Sequence, residues 1–239
     1  MSKATALSQS SRPNPETDAR CAHRVNPGSI GLRTHHKTVN PMPTQNLLPR
    51  DGTVHYLGKI LSKASADAFY ETLRTEIAWK PDEIQLFGKR IQTKREVAWY
   101  ADEPFSYTYS RTTKQALGWT KTLLELKAII EKASGERFNS CLLNLYHDGT
   151  QGMAWHADSE AMLKPQGTIA SLSLGAERRF LFKHKTTNEI VETFLEHGSL
   201  LLMKGQTQSF WQHRLPTSAK ITSARINLTF RNINPPTKS

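Results

Sequence analysis

His156 and Asp158 stand two residues apart in Ala154-Trp155-His156-Ala157-Asp158-Ser159-Glu160. In a β-strand successive side chains leave opposite faces, so this imidazole and this carboxylate project the same way, a few ångströms apart. Such a pair is either hydrogen-bonded beside a loop or shares a metal ion, and the second reading needs a third ligand. His147, His184, His197 and His213 are the other histidines of the C-terminal half. His213 ends the strand-like run Phe210-Trp211-Gln212-His213, and Pro216 closes the turn after it. Two imidazoles and one carboxylate on one face leave three positions of an octahedral ion open, the arrangement of non-haem Fe(II) oxygenases. Those open positions let a cosubstrate and dioxygen bind together.

A dicarboxylate cosubstrate needs cationic partners, and Arg225-Ile226-Asn227-Leu228-Thr229-Phe230-Arg231 supplies two. Alternation is strict: Ile226, Leu228 and Phe230 face one way, and Arg225, Asn227, Thr229 and Arg231 the other. With its polar face toward solvent this is a plain surface strand. With that face inward, two guanidiniums lie roughly 20 Å apart along the strand at about 3.3 Å per residue. A forked arginine per carboxylate is the geometry such a ligand prefers.

Several elements must position these residues. Ser65 reads as an N-cap followed by Phe69, Leu73 and Ile77 at four-residue steps, which predicts an amphipathic helix from Ser65 to Trp79. Trp119, Leu123, Leu126, Ile130 and Ala133 predict a second helix, stopped by Gly135. Between them, Ile84 to Tyr109 reads as short strand-like pieces rich in aromatic and basic residues. Beyond Gly135 come eight short runs separated by turn residues: Ser140 to His147, Gly152 to Ala157, Thr168 to Leu174, Arg179 to His184, Ile190 to Leu195, Ser199 to Met203, Thr207 to His213 and Ile226 to Asn232. Closely spaced strands without intervening helices predict a sandwich or barrel, jelly roll included.

A chain of 239 residues can bury a proper core. Its longest apolar run, Leu200 to Met203, is far short of the roughly 20 residues that span a bilayer, so a soluble, non-secreted protein is expected. Cys21 and Cys141 are the only cysteines, which argues against a disulfide framework and for a reducing compartment, the cytoplasm of a bacterium or a eukaryotic nucleus. The formal net charge of +11 favours a polyanionic partner. Residues 1–50 hold seven Lys/Arg against Glu16 and Asp18, so the remainder is basic as well. Residues 1–49 lack apolar periodicity and read as a disordered basic tail preceding one folded domain, 50–239.

The ordered set Asn144-x-Tyr146, His156-x-Asp158, His213 and Arg225-x-Asn227-x-Thr229-x-Arg231 resembles the AlkB family of Fe(II)- and 2-oxoglutarate-dependent nucleic-acid dealkylases. The resemblance runs from about Ile84 to Ile233, and "SLSLGAERRFLFKHK" and "EHGSLLLMKGQTQSFWQHRLP" look like the family's core strands. It implies a mainly β fold with flanking helices: a double-stranded β-helix, or jelly roll, over residues 140–239, preceded over 50–139 by helices and nucleotide-recognition hairpins. It implies His156, Asp158 and His213 as Fe(II) ligands, with O2 as cosubstrate. By the same resemblance Asn144 and Tyr146 hydrogen-bond 2-oxoglutarate, Arg225 pairs with its C5 carboxylate, Asn227 lies on the same face, and Thr229 and Arg231 complete the pocket.

"LFGK", Leu86 to Lys89, resembles the hairpin of the branch that repairs double-stranded DNA, with Phe87 the wedge entering the base stack beside Gly88 and Lys89. "YTYS" resembles the segment that grips a flipped base, which points to Tyr107, Thr108 and Tyr109. Ser159 departs from the acidic residue expected there, while Glu160 is retained. Lys89, Arg90, Lys94, Arg95, Lys183 and Lys185 are then expected as phosphate contacts along the DNA groove. The function implied is repair of alkylated DNA, duplex favoured, by oxidative demethylation of 1-methyladenine and 3-methylcytosine, with etheno adducts as further candidates, carried out by a monomer with no membrane partner. Two alternatives stand beside it: an RNA or protein demethylase or hydroxylase of the same class, and a basic β-barrel that binds nucleic acid without catalysis.

Overall fold

The computed structural model describes residues 45–86, 89–109 and 112–234. The expected tail through residue 44, Phe87, Gly88 and Ser110 lie outside the described residues. Leu48, on the tail side of the expected boundary, is buried, and the Asn46 side chain accepts the backbone N–H groups of Leu48 and Val54.

The chain runs β1 (Thr53–Lys59), α1 (Lys63–Glu76), β2 (Lys80–Leu86), β3 (Lys89–Ala101), β4 (Ser106–Tyr109), β5 (Thr112–Gln115), α2 (Lys121–Ser134), β6 (Ser140–Tyr146), β7 (Met153–His156), β8 (Ile169–Gly175) and β9 (Arg178–His184). It continues through β10 (Ile190–Leu195), β11 (Ser199–Lys204), the single turn α3 (Thr207–Phe210), β12 (Trp211–Leu215) and β13 (Arg225–Arg231). A seven-stranded sheet has the order β1-β11-β8-β13-β6-β3-β2, a four-stranded sheet the order β10-β9-β12-β7, and β4 pairs with β5. Neighbouring strands in all three sheets run antiparallel.

Two apolar layers follow from the alternation. Ile226, Leu228 and Phe230 of β13, fully buried, pack with Leu73 of α1 and Leu123, Leu126 and Ile130 of α2 on one face of the large sheet. Each such side chain contributes about 1.5–3 kcal/mol of burial. On the other face Tyr146, Ile169, Leu201 and Met203 meet Phe180, Phe182, Trp211 and Leu215 of the small sheet. The polar face of β13 is therefore turned toward the space between two sheets, where Arg225 and Arg231 are both buried.

The helices differ in detail from expectation. The cap of α1 is Ser62, whose Oγ accepts the Ser65 N–H, and Ser65 lies one turn inside. The helix also stops at Glu76, short of Trp79. α2 begins after Thr120, whose side chain accepts the Leu123 N–H, and ends at Gly135 with φ +72. The irregular stretch expected from Ile84 to Tyr109 holds the end of β2, the long strand β3 and the short strand β4, with β3 paired to β2 and held against β6 from Glu96 to Ala101. The expected strand Thr207 to His213 is half helix: α3 occupies its first four residues, fixed by Thr207 Oγ1, which donates to the Lys204 carbonyl at 2.6 Å and accepts from the Thr53 N–H at 2.9 Å.

Candidate active site

β7 and β12 lie side by side in the small sheet with His156 opposite His213, so the pairing register itself brings the two imidazoles together. Their ring centroids are 4.2 Å apart. Asp158 follows immediately after β7, its backbone N–H donating to Gln208 Oε1 at 2.9 Å and its Oδ1 3.8 Å from His156 Nε2. One ligand atom from each of His156, Asp158 and His213 falls within 4.8 Å of the others.

The two imidazoles suit a cation. His156 Nδ1 is 2.9 Å from the Ala154 carbonyl. A carbonyl only accepts, so Nδ1 carries a proton, and in the neutral ring Nε2 is the nitrogen left to bind a metal. Burial holds the His213 imidazole at about 4, below the ordinary 6.5 even with the Asp158 carboxylate beside it, so this ring is neutral at physiological pH.

A cavity between the sheets extends from these residues to Asn144 and Tyr146 on β6 and Arg225, Asn227, Thr229 and Arg231 on β13. β13 pairs residue for residue with β6, Arg225 opposite Tyr146 and Asn227 opposite Asn144, which puts both sets on the same face. Arg225 is buried, with Nη2 donating to Ser173 Oγ at 2.9 Å, its guanidinium 5.6 Å from the Tyr146 ring centroid, and Nε without a partner. Burial lowers its pKa to about 10, and it stays cationic at neutral pH. A buried guanidinium with no carboxylate beside it among the described residues is costly, and the missing acid is what a dicarboxylate brings. The donor set therefore fits Fe(II) and 2-oxoglutarate together.

At the other end of β13, Arg231 Nη1 is 3.1 Å from Glu160 Oε1 and 4.0 Å from Asp158 Oδ1, while Arg231 Nε and Glu160 Oε2 are buried without partners among the described residues. An open cleft of about 460 Å³, lined in part by Asp158, Ser159, Glu160, Lys164, Lys185 and Gln208, adjoins this end. Ser159 is exposed.

The residues expected to meet DNA fall in several places. Phe87 and Gly88 lie outside the described residues, and only the backbone of Lys89, Arg90, Tyr107, Thr108 and Tyr109 is described, on β3 and β4. Lys183 Nζ sits 5.0 Å from the Trp155 ring centroid, Lys185 Nζ donates to the Gln208 carbonyl, and Lys94 is exposed. Arg95 departs from the expectation of a groove-facing phosphate contact. It is buried, and its fork donates to Asp82 Oδ2 and Asn144 Oδ1. A guanidinium already engaged by an acid and an amide is turned away from solvent.

Sequence reasoning passed over the polar second layer. Ser173 and Ser171 hold Arg225 and Asn227, and their alternation in Ile169-Ala170-Ser171-Leu172-Ser173 was the available signal. Arg178, fully buried, donates to the carbonyls of Asp148, Gln151 and Pro216 and ties together the loops flanking β7 and β12. Nothing in its sequence surroundings distinguishes it from Arg179, which is exposed and ion-paired with Glu192.

Comparison with known proteins agrees with this geometry. The family model described as the 2OG-Fe(II) oxygenase superfamily matches residues 53–231. The chain is 36% identical over 190 residues to DNA oxidative demethylase ALKBH2 of Mus musculus, covering 75% of this chain and 80% of that one. It is 41% identical over 180 residues to alpha-ketoglutarate-dependent dioxygenase alkB homolog 3 of Bos taurus, covering 71% and 62%. The solved structure of OsALKBH1 superposes with a TM-score of 0.54 at 16% identity, over 80% of this chain and 100% of that one, a likeness of fold alone.

Proposed function

The chain belongs to the 2OG-Fe(II) oxygenase superfamily, in its AlkB family, and from that membership we propose that it repairs DNA by oxidative demethylation of N-alkylated bases. The observation that carries the reading is the conjunction, in one inter-sheet cavity, of a His-Asp-His cluster with a buried arginine that has no carboxylate partner among the described residues. A binding module has no use for either.

Fe(II) and 2-oxoglutarate, when bound, supply a dioxygen-driven oxidation in which 2-oxoglutarate becomes succinate and CO2 and one oxygen atom is inserted into a C–H bond of the alkyl group. The protein's own residues do the rest. His156, Asp158 and His213 hold the metal, with the Ala154 carbonyl fixing the His156 tautomer and Gln208 fixing the Asp158 backbone. Arg225, steadied by Ser173, takes the distal carboxylate of 2-oxoglutarate, and Asn144, Tyr146 and Thr229 complete its pocket. Arg231 ties Glu160 to the metal side, where Glu160 lines the cleft that would receive the base. The hydroxylated alkyl carbon is a hemiaminal, which collapses to formaldehyde and the restored base without a protein nucleophile.

The two sheets close as a double-stranded β-helix around this cavity, and residues 50–139 form the nucleotide-recognition region. β2 and β3 pair out to Leu86 and Lys89, so Phe87 and Gly88 are the residues that join them. An apolar side chain inserted between base pairs is a recognised way of unstacking a duplex, Phe87 is the residue we assign to it, and an N-methylated base, already poorly paired, costs least to extrude. Tyr107 and Tyr109 are the residues we assign to gripping the extruded base, and 1-methyladenine and 3-methylcytosine in duplex DNA are the substrates.

Mass spectrometry of oligonucleotides carrying one 1-methyladenine or 3-methylcytosine, each as duplex and as single strand, tests this reading. Loss of one methyl mass, faster in the duplex, is expected. Faster loss from the single strand would overturn the duplex preference alone, and no loss from either would reject these lesions as substrates.

A further inference from the structure

Arg95 is expected on the DNA side, and its burial calls for another role. Its fork bridges two elements: Nη2 meets Asp82 on β2, and Nη1 meets Oδ1 of Asn144 on β6, across the β3–β6 pairing that sets Val97 opposite Asn144. Asn144 is buried and lines the inter-sheet cavity.

We propose that Arg95 is a positioning residue for the cosubstrate, fixing the Asn144 amide so that its NH2 group faces the cavity. A guanidinium has five donors and no acceptor, so only the amide oxygen can face it. With Oδ1 so engaged, the atom left toward the cavity is Nδ2, a donor, which is what a carboxylate requires. An unconstrained asparagine amide can turn over and present oxygen to the carboxylate, opposing two acceptors. Asp82 holds the other arm of the fork, so the guanidinium is itself oriented rather than merely near. The inference rests on the reading of Asn144 as a ligand of 2-oxoglutarate.

The test uses the full chain loaded with Mn(II), with 2-oxoglutarate titrated by calorimetry and Mn(II) affinity measured separately. The double variant D82N/R95M removes the ion pair without stranding a buried carboxylate. It is expected to bind 2-oxoglutarate about tenfold or more weakly, the loss of one hydrogen bond to a charged group, with Mn(II) affinity unchanged. R95K, which keeps a single donor, is expected to recover part of the loss. N144D keeps the shape and the Arg95 contact but has no donor for the cavity, and should lose at least as much. Should the double variant not fold, R95K and N144D decide by the same readout. Wild-type affinity in D82N/R95M and R95K alongside a defective N144D would overturn the positioning role and leave Asn144 as a ligand. Wild-type affinity in N144D would refute Asn144 itself, and a parallel loss of Mn(II) affinity in D82N/R95M would mark a general structural lesion and overturn the proposal.

Discussion

Arg225 carries a charge that none of the described residues neutralises: its described partners are a serine hydroxyl and a tyrosine ring. R225M should accordingly leave the stability of the ligand-free protein unchanged or raise it, because a buried charge of this kind is often matched by an apolar residue of similar volume. The same variant should lose most of the thermal shift that 2-oxoglutarate gives the wild type, with its affinity reduced by about 30-fold or more. Thermal melts with and without the ligand check both halves. At this scale the sequence was most informative. The two-residue spacings at His156, Asn144 and Arg225 put side chains on one face before any fold is known, because strand periodicity is two. Arg95 was illegible for the converse reason: its partners lie 13 and 49 residues away, and burial of a basic residue depends on contacts that no local pattern records.

Gly175 ends β8 opposite Arg225, with φ +86, and a Cβ at this position would lie 2.4 Å from the Ala224 carbonyl oxygen. G175A should therefore destabilise the protein by about 1–3 kcal/mol, read as a lower urea midpoint, and weaken 2-oxoglutarate binding by displacing the start of β13. At α1, S62A should cost about 1 kcal/mol through loss of the cap to Ser65. Existence and type of the elements could be read from periodicity for α2 and β13, whose buried faces are regular. The α1 cap was misplaced because Ser62 and Ser65 both suit the role, and their hydroxyls in fact lie 2.9 Å apart. The turn α3 was missed because Thr207 to Phe210 offers no helical repeat, and its geometry comes from Thr207 bonding to Thr53 and Lys204. β3 extends past any local strand signal because β6 and β2 flank it on both sides.

Across the whole molecule the positive charge belongs to the folded part as much as to the N-terminal 50 residues. On the outer face of the small sheet, Lys183 and Arg214 lie 5.0 and 5.3 Å from the Trp155 ring centroid, on the strand that ends in His156. If these cations meet phosphates, K183A/R214A should weaken DNA binding uniformly across sequences and reduce the slope of log affinity against log salt by about 0.9 for each phosphate no longer neutralised. Fluorescence anisotropy at several salt concentrations measures this. None of the described helices is long and apolar enough to cross a membrane. The central claim, that the cavity couples 2-oxoglutarate turnover to loss of a base methyl group, is tested most directly by stoichiometry. Succinate and formaldehyde are measured together as the protein with Fe(II) acts on a 1-methyladenine oligonucleotide, beside its H156A variant. Equal amounts of the two products are expected, dependent on the methylated base and absent from H156A. Succinate formed at the same rate without formaldehyde, whether or not the methylated base is present, would contradict that coupling.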